Sequence, residues 1–90
     1  MTGFVKNTPI NGFMFVMTGT TSGAPIAGLT VTGQIYQDGK PIAPLVNSVT
    51  ELTNGVYTIN FAAADTNCNF GMLLFTASGA SNRYIEFVTS

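Results

Sequence analysis

Apolar and polar positions alternate along this chain in short blocks, and the blocks are separated by glycine, proline, asparagine and aspartate. Residues 56–61 show the pattern most plainly. Tyr57, Ile59 and Phe61 fall on one side and Thr58 and Asn60 on the other, the two-residue period of a strand with one face buried. Residues 29–36 read the same way, with Leu29, Val31 and Ile35 opposed to Thr30, Thr32 and Gln34. Residues 13–18 differ: Phe13, Phe15 and Met17 alternate with Met14 and Val16, so both faces are apolar. Such a strand is either buried on both sides or contributes to an interface. Residues 48–52, 72–77 and 84–89 supply further short strands, and residues 62–67 hold the one helical turn.

The connections carry their own signals. Asp38 with Gly39, and Asn54 with Gly55, are two-residue turn signals between strands. Pro41 and Pro44 confine their segment to an edge strand or an extended connection, because proline has no N–H for a ladder. The sum is about seven short strands with turn signals roughly 8–12 residues apart, which predicts an all-β sandwich. Residues 1–12 stand outside the pattern. Gly3, Pro9 and the Asn11–Gly12 turn signal leave little periodicity, so the segment reads as an N-terminal arm, ordered against a neighbour, leading into a domain over residues 13–90.

Composition sharpens this. With 46% hydrophobic and 8% charged residues, against roughly 25% charged in an average domain, the exterior must be built from Thr, Ser, Asn, Gly and surplus apolar groups. That suggests a surface partly covered by a partner. The net charge is −1 and the basic residues Lys6, Lys40 and Arg83 are scattered, which disfavours nucleic acid as a partner. No apolar run reaches the eighteen or so residues of a membrane span, and no secretory signal is visible. A single cysteine, Cys68, excludes an intrachain disulfide. A domain this small and without disulfides gains from oligomerisation or docking.

The chemistry-bearing residues are sparse. The chain has no histidine, which removes Ser-His-Asp and Cys-His catalysis, and one cysteine cannot build a closed zinc site. The carboxylates Asp38, Glu51, Asp65 and Glu86 stand apart in sequence and form no pair flanking a cleft. Asp65 reads as a turn residue whose carboxylate accepts backbone N–H groups. Cys68 reads as a small filler, and Tyr57 as a core aromatic whose hydroxyl reaches a partner at the rim. Gly19, Gly23 and Gly28 lie in a loop between strands, with no phosphate-binding spacing. No catalytic residue, cofactor or metal is expected, and the chain reads as non-enzymatic.

Two stretches carry a resemblance. One is Phe13-Met14-Phe15-Val16-Met17 with Pro25-Ile26-Ala27-Gly28-Leu29-Thr30-Val31-Thr32. The other runs from Thr50-Glu51-Leu52 through Asn54-Gly55-Val56-Tyr57 and Ala63-Ala64-Asp65-Thr66 to Gly71, Leu73, Leu74 and Gly79. Together they resemble the immunoglobulin-like β-sandwich domain of tailed-phage virion proteins, over most of residues 13–89. Two departures are Val56, where the pattern often has tryptophan, and Gln37-Asp38-Gly39-Lys40 in place of a Gly-Gly hairpin.

The resemblance implies an immunoglobulin-like sandwich of antiparallel strands and a structural role in the virion. A chain that opens on methionine and ends soon after its last strand suits a small free-standing capsid decoration, or cement, protein. It would bind the major capsid protein on the outer shell, as a homo-oligomer such as a trimer at three-fold axes. The residues expected to make the contact are Phe4, Val5 and Lys6 in the arm and Phe13, Met14, Phe15, Val16 and Met17 in the first strand. The alternatives are a tail, baseplate or fibre module, and a carbohydrate- or cell-surface-binding domain using Tyr36, Phe70 and Tyr84 as exposed aromatics.

Overall fold

A computed structural model describes residues 2–90, and Met1 lies outside the described residues. The described residues form eight strands and one short helical turn: β1 (Thr2–Phe4), β2 (Ile10–Val16), β3 (Thr32–Gln37), β4 (Ala43–Pro44), β5 (Thr50–Thr53), β6 (Val56–Phe61), α1 (Ala63–Thr66), β7 (Phe70–Thr76) and β8 (Arg83–Thr89). They make a five-stranded sheet in the order β1-β8-β7-β3-β4 and a three-stranded sheet in the order β2-β6-β5. All pairings are antiparallel except that of β1 with β8, which is parallel.

The turns follow from the residues that make them. Asn54 and Gly55 both adopt positive φ, 50° and 85°, the paired left-handed geometry whose twist matches a tight hairpin. Gly55 is required twice over, because a Cβ there would lie 2.7 Å from Pro25 Cβ and 2.8 Å from the Ile26 nitrogen. That close approach lets the long loop after β2 lie against the end of β6. Met17 N–H donates to the Gly55 carbonyl and Ile26 N–H to the Met17 carbonyl. The Tyr57 hydroxyl donates to the Ile26 carbonyl at 2.7 Å and accepts from Leu29 N–H at 3.2 Å, which is the rim contact the sequence suggests. The proline-limited segment is the two-residue edge strand β4.

The sheets meet through aromatic rings. Phe15 of β2 stacks on Phe75 of β7 with centroids 3.8 Å apart and planes 15° from parallel, and Tyr57 lies beyond at 6.1 Å. A second cluster fills the other end: Phe4 lies 4.9 Å from Phe87 and 5.7 Å from Phe61, and Phe13 lies 5.1 Å from Phe61. Ile35, Ile59 and Leu73 complete the interior. Tyr57, Ile59 and Phe61 point inward as their alternation predicts.

The segment expected to be an arm is built into both sheets instead. Thr2–Phe4 pairs with β8, Ser90 N–H donates to the Phe4 carbonyl, and Lys6 N–H donates to the Ser90 carbonyl. Phe4 is buried in the aromatic cluster, and Ile10, Asn11 and Gly12 open β2. A three-residue strand is too short to show a period, and its one core residue, Phe4, stands between Gly3 and Val5 with no alternation around it, so the sequence pattern passes over it. The strand predicted over residues 29–36 begins only at Thr32. Leu29 and Val31 still pack on the core from the preceding extended chain.

Phe4→Ala is expected to cost about 3 kcal/mol, as large-to-small core changes do, and to lower Tm by roughly 12–24 °C in a domain of this size. Thermal unfolding followed by circular dichroism checks this. An unchanged Tm would return residues 1–12 to the status of an arm.

Candidate binding surface

The outward side of the five-stranded sheet gathers side chains from three strands. Leu73, Phe75, Ile35 and Phe87 point into the core, so the residues between them point out. The register sets these in rows: Phe70 opposite Val88, then Tyr36 and Glu86 flanking Met72, then Gln34 and Tyr84 flanking Leu74. Phe70 is 57% exposed, Tyr84 55%, Val88 42% and Tyr36 37%. Those are large exposures for apolar groups lying side by side. Leu74 lies on this outer face and is nevertheless buried beneath its neighbours.

Between the rows lies an open hollow of about 500 Å³, lined by Tyr36, Phe70, Met72 and Val88, with Asp38 and Glu86 also in its walls. Asp38 holds one wall in place. Its Oδ1 accepts the N–H groups of Asn69 at 2.9 Å and Phe70 at 3.2 Å, and its own N–H donates to the Phe70 carbonyl at 3.0 Å. Asp38 and Gly39 both have positive φ, 49° and 74°, so the turn read from sequence also anchors the start of β7. Sequence reasoning identifies Tyr36, Phe70 and Tyr84 as exposed aromatics, and the structure brings all three onto one face. It misses Met72 and Val88, whose shared face follows only from the pairing of β7 with β8.

The residues expected to make contact from the N-terminal region and β2 are divided. Phe4, Phe15 and Met17 are buried in the core, and Phe13 is half-buried against Phe61, so none of these offers an open surface. Val5 and Lys6 are exposed just beyond β1, where the Lys6 ammonium bonds the Asn69 side-chain oxygen. Met14 and Val16 are exposed on β2, in the other sheet. The eight residues therefore do not form one patch.

Two buried groups could carry chemistry, and both have structural partners. Asp65 is nearly inaccessible, and its Oδ2 accepts Ala62 N–H at 2.9 Å, closing α1 as the turn reading expects. Burial pushes its carboxyl above the usual carboxylate range, while hydrogen bonds from the backbone of Ala62 and Val46 pull the other way. Cys68 is also buried. Burial, with the Asp38 charge adding to it, raises its thiol, against weaker opposite pulls from Lys6 and Lys40. A thiol so placed is a poor nucleophile. Among the described residues no group of three or more His, Cys, Asp or Glu could hold a metal ion, and no helix is long and apolar enough to cross a membrane.

Comparison with family models, with curated proteins and with solved structures finds no match for this chain.

Because the Asp65 pKa is raised on folding, its contribution to stability is full below the unfolded value of 3.8 and is lost as pH rises through the folded value. Asp65→Asn abolishes that slope. The wild-type advantage over Asp65→Asn, measured by urea unfolding, is therefore expected to shrink between about pH 3 and about pH 7. An advantage that grew with pH would mean that the hydrogen bonds, and not burial, govern this carboxyl.

Phe70→Ser combined with Tyr84→Ser should leave Tm within a few degrees, since exposed side chains contribute about ±0.5 kcal/mol. The double substitution should also reduce binding of a hydrophobic dye to the folded protein. Cooperative unfolding lost in the double variant would place these rings in the core instead.

Proposed function

We propose that the chain is an immunoglobulin-like β-sandwich acting as a non-enzymatic structural protein of a tailed-phage virion. In this reading it decorates the outer capsid surface, binds the major capsid protein and stabilises the assembled shell. The strand order supports the fold. Strands β2 to β8 taken in chain order match B, C, C′, D, E, F and G, with G-F-C-C′ in one sheet and B-E-D in the other. The motif resemblance of residues 13–89 supports the phage setting.

One observation carries the binding role: Tyr36, Phe70, Met72 and Val88 converge around an apolar hollow on one outer sheet face, and Tyr84 extends that face beyond it. Aromatic residues and methionine are enriched at the centres of protein interfaces, where charged groups are depleted. A ligand that binds only the assembled shell favours that shell by mass action. Many weak copies can therefore reinforce a capsid without any covalent link.

A second reading, glycan or cell-surface binding by a tail or fibre module, is favoured by the position of Glu86 beside those aromatics. Sugar rings lay their C–H faces on aromatic rings while a carboxylate accepts their hydroxyl protons. The low polarity of the hollow favours a protein side chain over a sugar.

Quantitative mass spectrometry of purified virions separates the readings. A copy number comparable with that of the major capsid protein is the expected result, with Phe70→Ser and Tyr84→Ser released from the shell at lower temperature or lower urea concentration. A handful of copies per particle would move the protein to the tail or fibres, and absence from the particle would overturn the virion role.

A further inference from the structure

The two sheets have four free edges: β1, β4, β2 and β5. Three are blunted in ways that discourage pairing with another chain. Strand β1 is three residues long, β4 is two residues ending in Pro44, and the pairing of β5 with β6 is irregular between Glu51 and Thr53. Strand β2 is seven residues long, and after an irregularity between Ile10 and Phe13 its register runs unbroken from Phe13 to Val16.

The direction of its backbone groups follows from one bond. Met17 N–H donates to the Gly55 carbonyl, and the register continues Phe15 opposite Tyr57 and Phe13 opposite Ile59. In an antiparallel pair alternate residues bond to the neighbour, so Phe13 and Phe15 face β6. Met14 and Val16 turn their N–H and C=O groups outward, where no strand of the described residues pairs with them. Their side chains, on the outer face of the sheet, are 61% and 37% exposed. From Phe13 to Met17, past that irregularity, there is no proline, lysine or other charge, devices that ordinarily protect an edge.

We propose that β2 is a pairing edge for a second copy of this chain, joined antiparallel about a two-fold axis at Phe15 so that two three-stranded sheets become one continuous sheet. The edge is self-complementary about that point. Met14 faces Val16 of the second copy and the reverse, giving about four main-chain hydrogen bonds. The four side chains form an apolar strip with Val56 on the outer face. The charge pattern selects a second copy here and not at the five-stranded face. A two-fold contact across the aromatic hollow would bring Glu86 towards its own counterpart, whereas β2 presents no charge to itself. The pairing buries less than the ~1,200 Å² of a stable interface, so the dimer is weak in free solution and forms where copies are concentrated. The inference does not rest on the virion reading, and either can fail alone.

Sedimentation velocity of the full chain from about 10 μM to about 1 mM tests it. The weight-average mass should rise towards that of a dimer, with the amide protons of Met14 and Val16 becoming protected from exchange in step. Met14→Lys, at an exposed position, should leave Tm unchanged and raise the dissociation constant at least about tenfold. Mixing Met14→Cys with Val16→Cys should give a disulfide-linked dimer faster than either variant alone, because facing residues in a hydrogen-bonded pair lie ~5.5 Å apart. A monomer at about 1 mM, equal dimerisation of Met14→Lys, or no advantage for the cysteine mixture would each overturn the proposal.

Discussion

The ring of Phe15 lies on the ring of Phe75, 3.8 Å away across the gap between two sheets, and the rest of the domain is arranged so that the sheets can approach that closely. A chain of 90 residues with a single cysteine has no crosslink to hold its layers, so an aromatic layer serves instead. Phe4, Phe13, Phe61 and Phe87 extend it to the far end. Glycines make the room. A Cβ on Gly33 would lie 2.8 Å from Leu45 Cδ1 and 3.3 Å from Phe75 Cε1, and one on Gly71 would lie 2.5 Å from Phe87 Cζ and 2.6 Å from the Tyr36 carbonyl oxygen. Rings and glycines therefore constrain one another, as close packing requires.

That same interior shapes the exterior. Once Phe13, Phe15, Phe61, Phe75 and Phe87 are turned inward, the pleat forces the residues that alternate with them outward. With so few charged residues, many of those neighbours are apolar. On the five-stranded sheet they are Tyr36, Phe70, Met72, Tyr84 and Val88; on β2 they are Met14 and Val16. The first group makes a face and the second sits beside unpaired backbone. They suit different kinds of contact: side-chain packing on one layer and main-chain pairing on the other.

Local signals in the sequence carried far. The turns at Asp38–Gly39 and Asn54–Gly55, the proline-limited edge at β4, the helical turn over residues 62–67 and the inward set Tyr57, Ile59 and Phe61 were all legible, because each depends on neighbouring residues alone. The carboxylate of Asp65 bonding Ala62 N–H belongs with them, its partner being three residues away. The short strand β1 was not legible: its stability comes from β8, and its aromatic contact with Phe87 joins opposite ends of the chain.

The candidate surfaces divide along the same line. The sequence by itself determined that the chain is all-β, that its exterior is poor in charge, and that Tyr36, Phe70 and Tyr84 are candidates for exposure. Period-two alternation says which residues share a face of one strand. It does not say which strands lie side by side, because pairing is decided by long-range burial of the aromatic rings. Only the tertiary structure therefore placed β8, β7 and β3 together to make one apolar face. It also drew Phe4, Phe15 and Met17 into the core, and left Met14 and Val16 on an open edge.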